Sequence, residues 1–263
     1  MCLILFSLND HPHYQLVLAA NRDEFYDRPT AAANFWEDHL SVLGGRDLKH
    51  GGTWLGISKT GRIAALTNFR NPSNRKSHAL SRGQLVSDFL KYQFKPVEYY
   101  QILTATRHKY NDFSLLFGNP GQMYFMSSHF DKLQSLTPGI YGLSNHLLNT
   151  PWPKVKIGLD GLRQLLANND KLRPDAIFEI LTDRTRPDDK FLPDTGVGLE
   201  WERILAPVFI TSSVYGTRSS TVLLIDLENN VNFTERIYHD HDPQDFTEQK
   251  FEFKLNHSPL SPS

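Results

Sequence analysis

Cys2-Leu3-Ile4-Leu5-Phe6-Ser7-Leu8 and Tyr14-Gln15-Leu16-Val17-Leu18-Ala19-Ala20, separated by Asn9-Asp10-His11-Pro12-His13, decide the fold. Both runs are rich in strand-forming residues, and the polar segment between them has turn chemistry, so the pair reads as a β-hairpin. A strand with one wet face alternates apolar and polar residues. These two runs are apolar almost throughout, so both of their faces must be covered.

Working outward, short strands are expected at 54–58 and 62–68 within a glycine-dense stretch. A helix is expected from Ser81, where Ser81 and Gln84 have capping-box spacing and Leu85, Val86, Phe89 and Leu90 form a stripe. A second helix from Pro96 to about His108 would carry Val97, Tyr100, Leu103 and Arg107 along one side and pack on the first. Strands return at 113–117 and 123–127 around Asn119-Pro120-Gly121; helices follow at 154–167 and 174–181, then a polar loop at 183–198. The last third reads as strands at 207–212, 221–227, 231–237 and 250–255. The pattern implies an α+β fold, a four-layer αββα sandwich with two mainly antiparallel sheets between helical layers. One domain spans 1–257, and a Pro/Ser-rich tail, 258–263, is expected to be disordered.

Composition narrows the function. Lys and Arg number 28 against 29 Asp and Glu, a formal charge of −1, which is no nucleic-acid footprint. No stretch approaches the ~20 apolar residues that span a bilayer, and no signal peptide is evident, so a cytoplasmic protein is expected. Cys2 is the single cysteine; no disulfide or thiolate-ligated zinc follows from it. His239-Asp240-His241-Asp242 reads as a solvated segment, and no metal site is expected.

Cys2 follows the initiator methionine. Removal of Met1 would leave an α-amine beside the thiol, nucleophile and general base in one residue; the plainer reading is a small buried hydrophobe. Asn21-Arg22-Asp23-Glu24 sits where the second strand is expected to end, and antiparallel geometry returns it to the level of Cys2. Asn68 and Asn145, at strand edges, could each aim an amide at a developing oxyanion. Arg218, in Tyr215-Gly216-Thr217-Arg218, could hold a carboxylate or phosphate. Residues 48–87 contain no Asp or Glu but hold Lys49, Lys59, Arg62, Arg70, Arg75, Lys76 and Arg82, a bias toward an anionic ligand if those side chains converge.

Together, Met1-Cys2, Leu18 to Tyr26 with its Asn-Arg-Asp-Glu core, Gly51-Gly52-Thr53-Trp54-Leu55-Gly56, Ala64 to Asn68, Tyr141 to Asn145, Thr150-Pro151-Trp152 and Tyr215 to Arg218 closely resemble the transport-and-Golgi-organisation protein 2, or NRDE, family. The resemblance implies an N-terminal-nucleophile (Ntn) hydrolase-like fold. By similarity to cysteine members of that fold, it implies Cys2 as nucleophile, Asp23 positioning the amine, and Asn68 and Asn145 at the oxyanion hole. Asn21, Arg22, Glu24, Trp54, Tyr215 and Arg218 would line the ligand site. Those hydrolases carry an arginine three residues before the aspartate, where this chain has Ala20. For the family itself the resemblance implies haem trafficking or acyl-coenzyme A and lipid homeostasis: binding or carrying an amphipathic anion, with no cofactor required and haem as a cargo. The alternative it implies is a cysteine hydrolase of a C–N amide or (thio)ester bond.

Overall fold

The computed structural model describes residues 2–256; Met1, the last residue of the expected domain and the 258–263 tail lie outside them. β1 (Cys2–His11) and β2 (Tyr14–Phe25) form the expected hairpin, with Leu3 opposite Asn21 and Cys2 opposite Arg22. β2 runs on through Phe25. Asn21-Arg22-Asp23-Glu24 is therefore strand rather than the turn that follows one, because β11 (Tyr215–Asp226) pairs along the other side of β2 and satisfies its backbone.

β10 (Gly139–Leu143), β12 (Asn230–Tyr238) and β13 (Phe246–Lys254) complete the first sheet, in the order β10-β1-β2-β11-β12-β13. The second sheet has seven strands in chain order: β3 (Thr30–Trp36), β4 (His39–Asp47), β5 (Leu55–Ser58), β6 (Ile63–Asn68), β7 (Phe113–Asn119), β8 (Gln122–Ser127) and β9 (Phe130–Ser135). The strand pairings in both sheets are antiparallel.

Side-chain alternation builds the layers. Ile4, Phe6, Leu16, Leu18 and Ala20 point at the second sheet and meet Leu43, Leu55, Ile57 and Leu116 in a dry core between the sheets. Leu3, Leu5, Val17 and Ala19 point the other way, onto α3 (Pro153–Leu166) and α4 (Pro174–Leu181). On the outer face of the second sheet, Val42, Ala64, Leu66 and Leu115 pack under α1 (Gly83–Lys91) and α2 (Pro96–Thr106). The result is the αββα sandwich, and the double-sided burial inferred for the hairpin is its cause.

Several local expectations fail for identifiable reasons. α1 starts at Gly83, and no side chain caps it; the expected Ser81 and Gln84 box does not form. The Gly52-Thr53 backbone docks there instead, so closely that a Cβ on Gly52 would lie 2.6 Å from the Gly83 carbonyl carbon. The buried side of α2 is Tyr99 and Leu103, with Val97 exposed, because the Tyr99 hydroxyl reaches the Leu85 carbonyl (2.5 Å) and its ring meets Phe89. Residues 207–212 are not a strand. They form a connector, buried over 207–210, whose Phe209 amide donates to the Asp183 carbonyl and whose Val208 carbonyl accepts from Asn21. α5 (Leu199–Leu205) follows the 183–198 loop, and β3, β4 and β9 were not expected.

Phe6 is fully buried between the sheets and stacks on Tyr141 at 5.1 Å. Phe6→Ala should lower unfolding free energy by about 3–5 kcal/mol in a denaturant titration, since the rigid facing sheets cannot collapse into the void.

Candidate functional site

The ends of β1, β2 and β6, with the segment leading into α1, enclose a cavity of about 330 Å³. Cys2, Arg22, Asp23 and Glu24 lie on its wall, with Asn68 and Trp54 across from them. The antiparallel register sets Cys2 beside Arg22, and the Asp23 amide N–H donates to the thiol. Burial nevertheless pushes the thiol pKa up, so at neutral pH it is protonated and needs a base.

Strand alternation divides the tetrapeptide. Arg22 faces the second sheet and lies flat over the Trp54 ring at 4.3 Å. Asn21 and Asp23 face the helical layer. Asn21 donates to the Leu181 and Val208 carbonyls and accepts from the Ser220 hydroxyl, so its side chain is engaged in joining layers rather than in lining the cavity. Asp23 accepts from Thr217 (2.7 Å), and its second carboxylate oxygen lies 3.5 Å from Lys154 Nζ. Burial pushes the Asp23 carboxyl up, and Lys154 opposes it most strongly. Lys154 is itself pushed down by burial. Lys154 drew no notice in the sequence, where a lysine within a helix carries no distinguishing signal.

Asn68 and Asn145 are coupled: Asn145 is wholly buried and donates to the Asn68 carbonyl (2.9 Å), while Asn68 lies on the cavity wall. Ser144 ties the pair to Cys2, donating to the Cys2 carbonyl at 3.2 Å. Tyr215 is buried beneath the site, its hydroxyl donating to the Asp23 carbonyl (2.8 Å). Arg218 is the extra residue of a β-bulge in β11, between the pairs Thr217 with Asp23 and Ser219 with Arg22. The bulge sends its guanidinium toward the Phe25 and Arg28 carbonyls, on the far side of Arg22 from Cys2.

The basic stretch converges in part. Arg75, Lys76 and Arg82 line the Cys2 cavity with Arg22 and Arg28. Arg28 is paired with Asp47 (2.5 Å), whereas Arg22, Arg75, Lys76 and Arg82 have no carboxylate salt-bridge partner among the described residues. Arg82 donates to the Asp112 carbonyl, and burial lowers its pKa to about 10. Arg62 instead stacks on Phe89, Arg70 pairs with Glu202, and Lys59 lies over Phe35. Beyond Arg82 and Asn68, which line both, lies a second cavity of about 670 Å³, walled by Phe25, Phe69, Trp201 and Leu205 together with Arg28, Arg70 and Arg75. The cationic cavity that holds Cys2 thus borders one of mixed aromatic and cationic lining, along Glu24, Asn68, Arg75 and Arg82. Among the described residues no group of His, Cys, Asp and Glu could hold a metal ion, and no helix is long and apolar enough to cross a membrane.

The layered sheets, with a cysteine opening the first strand, define the Ntn-hydrolase-like class of fold. A mutant of conjugated bile acid hydrolase from Clostridium perfringens superposes on this chain with a TM-score of 0.52 over 97% of both chains at 10% identity, a likeness of fold alone. Residues 1–240 match the Transport and Golgi organisation 2 family. The Bos taurus and Homo sapiens Transport and Golgi organization protein 2 homologs are 38% and 36% identical to it, over 97% of this chain and 99% of each relative. The chain belongs to that family.

Behind Arg22, in the layer between the sheets, Glu235 is buried and accepts from the Ala33 amide at 2.6 Å; burial raises its pKa from 4.5 to about 7. A carboxyl whose folded pKa is raised holds its proton longer in the fold than in the unfolded chain. Wild-type stability should therefore fall as pH rises from 4.5 to about 7 and stay lowered above it. Glu235→Gln keeps the acceptor without the charge, and pH-stepped denaturant titrations should show it gaining on the order of 2–3 kcal/mol over wild type above that range and nothing below it.

Proposed function

We propose that this protein is an Ntn-type cysteine hydrolase that opens a C–N amide or (thio)ester bond in an amphipathic anionic acyl substrate. One observation carries the reading: the chain's single cysteine stands at the start of β1, on the wall of a cationic cavity that borders an aromatic-lined one. With Met1 removed, the α-amine of Cys2 takes the thiol proton and Sγ attacks the carbonyl carbon. The carbonyl oxygen becomes an oxyanion within reach of the Asn68 amide, and Asn145 fixes that residue through its main-chain carbonyl. The C–N, C–O or C–S bond then breaks, the ammonium returns the proton to the leaving group, and water hydrolyses the thioester on Cys2. Asp23 keeps the amine in place, and the buried, neutral thiol accounts for the need of a base.

A second reading, a cytosolic carrier, is favoured by the cations Arg75, Lys76 and Arg82, which crowd the Cys2 cavity without carboxylate salt bridges. Haem and acyl-coenzyme A both have a large apolar body with anionic groups, the form that a cationic cavity bordering an aromatic-lined one suits. In this reading Cys2 is a wall residue and no bond is broken.

The intact mass of the purified protein should be one methionine residue lighter than the translated chain. Incubation with a panel of acyl amides and thioesters should then add an acyl mass to wild type and none to Cys2→Ala. A retained Met1, or no adduct with any member of the panel, overturns the hydrolase reading.

For the carrier reading, titration with haem and with acyl-coenzyme A should show saturable binding of at least one, weakened about tenfold by Arg82→Gln. The absence of saturation with both overturns it.

A further inference from the structure

We propose that Lys154 is a positioning residue for the reaction, the cation that keeps Asp23 anionic and aimed at the amino group of Cys2. The inference rests on the hydrolase reading. Lys154 sits in the first turn of α3, immediately after Pro153. Its side chain is 1% exposed, and Nζ lies 3.5 Å from the carboxylate of Asp23, which is 0% exposed. Among the described residues Nζ has no hydrogen-bond partner closer than this contact.

Two features separate this lysine from a structural one. The next inward positions of α3 are Val155, Leu159, Leu162 and Leu166, all in the apolar layer under the first sheet, so a Met of similar volume would suit the packing. A cation in the first turn also opposes the helix dipole, so its charge does not serve the helix. A buried ammonium is costly unless something needs its charge. Asp23 is the carboxylate within reach.

Among the described side chains around Asp23, Lys154 is the cation paired with its carboxylate. Cys2 approaches from β1, Arg22 and Glu24 flank Asp23 on β2, and Thr217 and Tyr215 donate from β11. Arg70 approaches from the segment after β6, but it stacks on Trp152 and is bound to Glu202 of α5 at 2.5 Å, so its charge is already matched. Arg22 faces the other layer, over Trp54. Burial raises the Asp23 carboxyl, and Lys154 is the largest influence opposing that rise.

The test reads Cys2, the one cysteine, by its iodoacetamide alkylation rate between about pH 5 and 10. Without the cation the Asp23 carboxyl takes its proton at higher pH and, once neutral, no longer holds the amine in place. Lys154→Met should therefore move the acid limb of the profile upward by about one to two pH units. Lys154→Arg, which restores the charge, should stay within about half a unit of wild type. In an Asp23→Asn background the same Met replacement should move the limb by less than about half a unit, because the group it acts through has lost its charge.

Since Lys154→Met alone leaves a buried carboxylate uncompensated, circular dichroism checks its fold. If it does not fold, the Asp23→Asn/Lys154→Met pair against Asp23→Asn alone decides. A folded Lys154→Met protein with the wild-type profile, or a shift undiminished by Asp23→Asn, overturns the positioning role and leaves the hydrolase reading standing. A wild-type thiol that alkylates no faster than in the unfolded chain and shows no acid limb removes both.

Discussion

The antiparallel register between β1 and β2 is the constraint on which the rest depends. Strand side chains alternate with a period of two, so slipping the pairing by one residue would exchange the dry layer between the sheets with the layer under the helices. The present register places Ile4, Phe6, Leu16 and Leu18 in one core and Leu3, Leu5, Val17 and Ala19 in the other. Both cores are apolar, yet their partners differ in shape, and Gly158 of α3 shows how close the fit is: a Cβ there would lie 2.6 Å from Leu5. The same register sets Cys2 beside Arg22 and sends Asp23 down toward α3. Packing and site geometry are therefore fixed by one pairing.

Beneath Cys2 the protein buries more charge than its stability alone would favour. Asp23 with Lys154 and Arg70 with Glu202 are two ion pairs, each with both side chains 5% exposed or less. Removing such groups from water costs several kcal/mol per ion, and mutual attraction seldom returns more than that. Well-packed apolar side chains would stabilise the region as well or better. The pairs make sense as a fixed electrostatic floor: Tyr215 holds the Asp23 backbone, Thr217 one carboxylate oxygen and Lys154 the other, while Trp152 and Glu202 hold Arg70. Few of these groups can reorient without leaving another buried polar atom unsatisfied.

Much of this was legible in the sequence because the signals were local. Two fully apolar strands announced two covered faces, Pro174 marked a helix start, and the position of Asn21-Arg22-Asp23-Glu24 one strand after Cys2 announced their proximity. The errors arose where tertiary contact outvoted local preference. The strand continued through the polar tetrapeptide because β11 covered it, and α1 lost its Ser81 cap because the Gly52-Thr53 backbone occupied that end. Arg218 reads like any arginine on a strand until the bulge in β11 turns it away. The cations of residues 48–87 form a cluster in sequence but are sorted by strand face and loop path, Arg75, Lys76 and Arg82 to the cavity, Arg62 and Arg70 elsewhere.

By itself, then, the sequence determined the layering and the company of Cys2, since hydrophobic periodicity and chain reversal are properties of adjacent residues. Only the tertiary structure decided that Asn145 holds the Asn68 carbonyl, that Lys154 is the cation under Asp23, and that an aromatic-lined cavity adjoins the basic one. Those juxtapositions join residues from separate strands, helices and loops. They exist because close packing of four layers brings distant segments within a few ångströms of one another, and no pattern along the chain encodes which side chains will meet there.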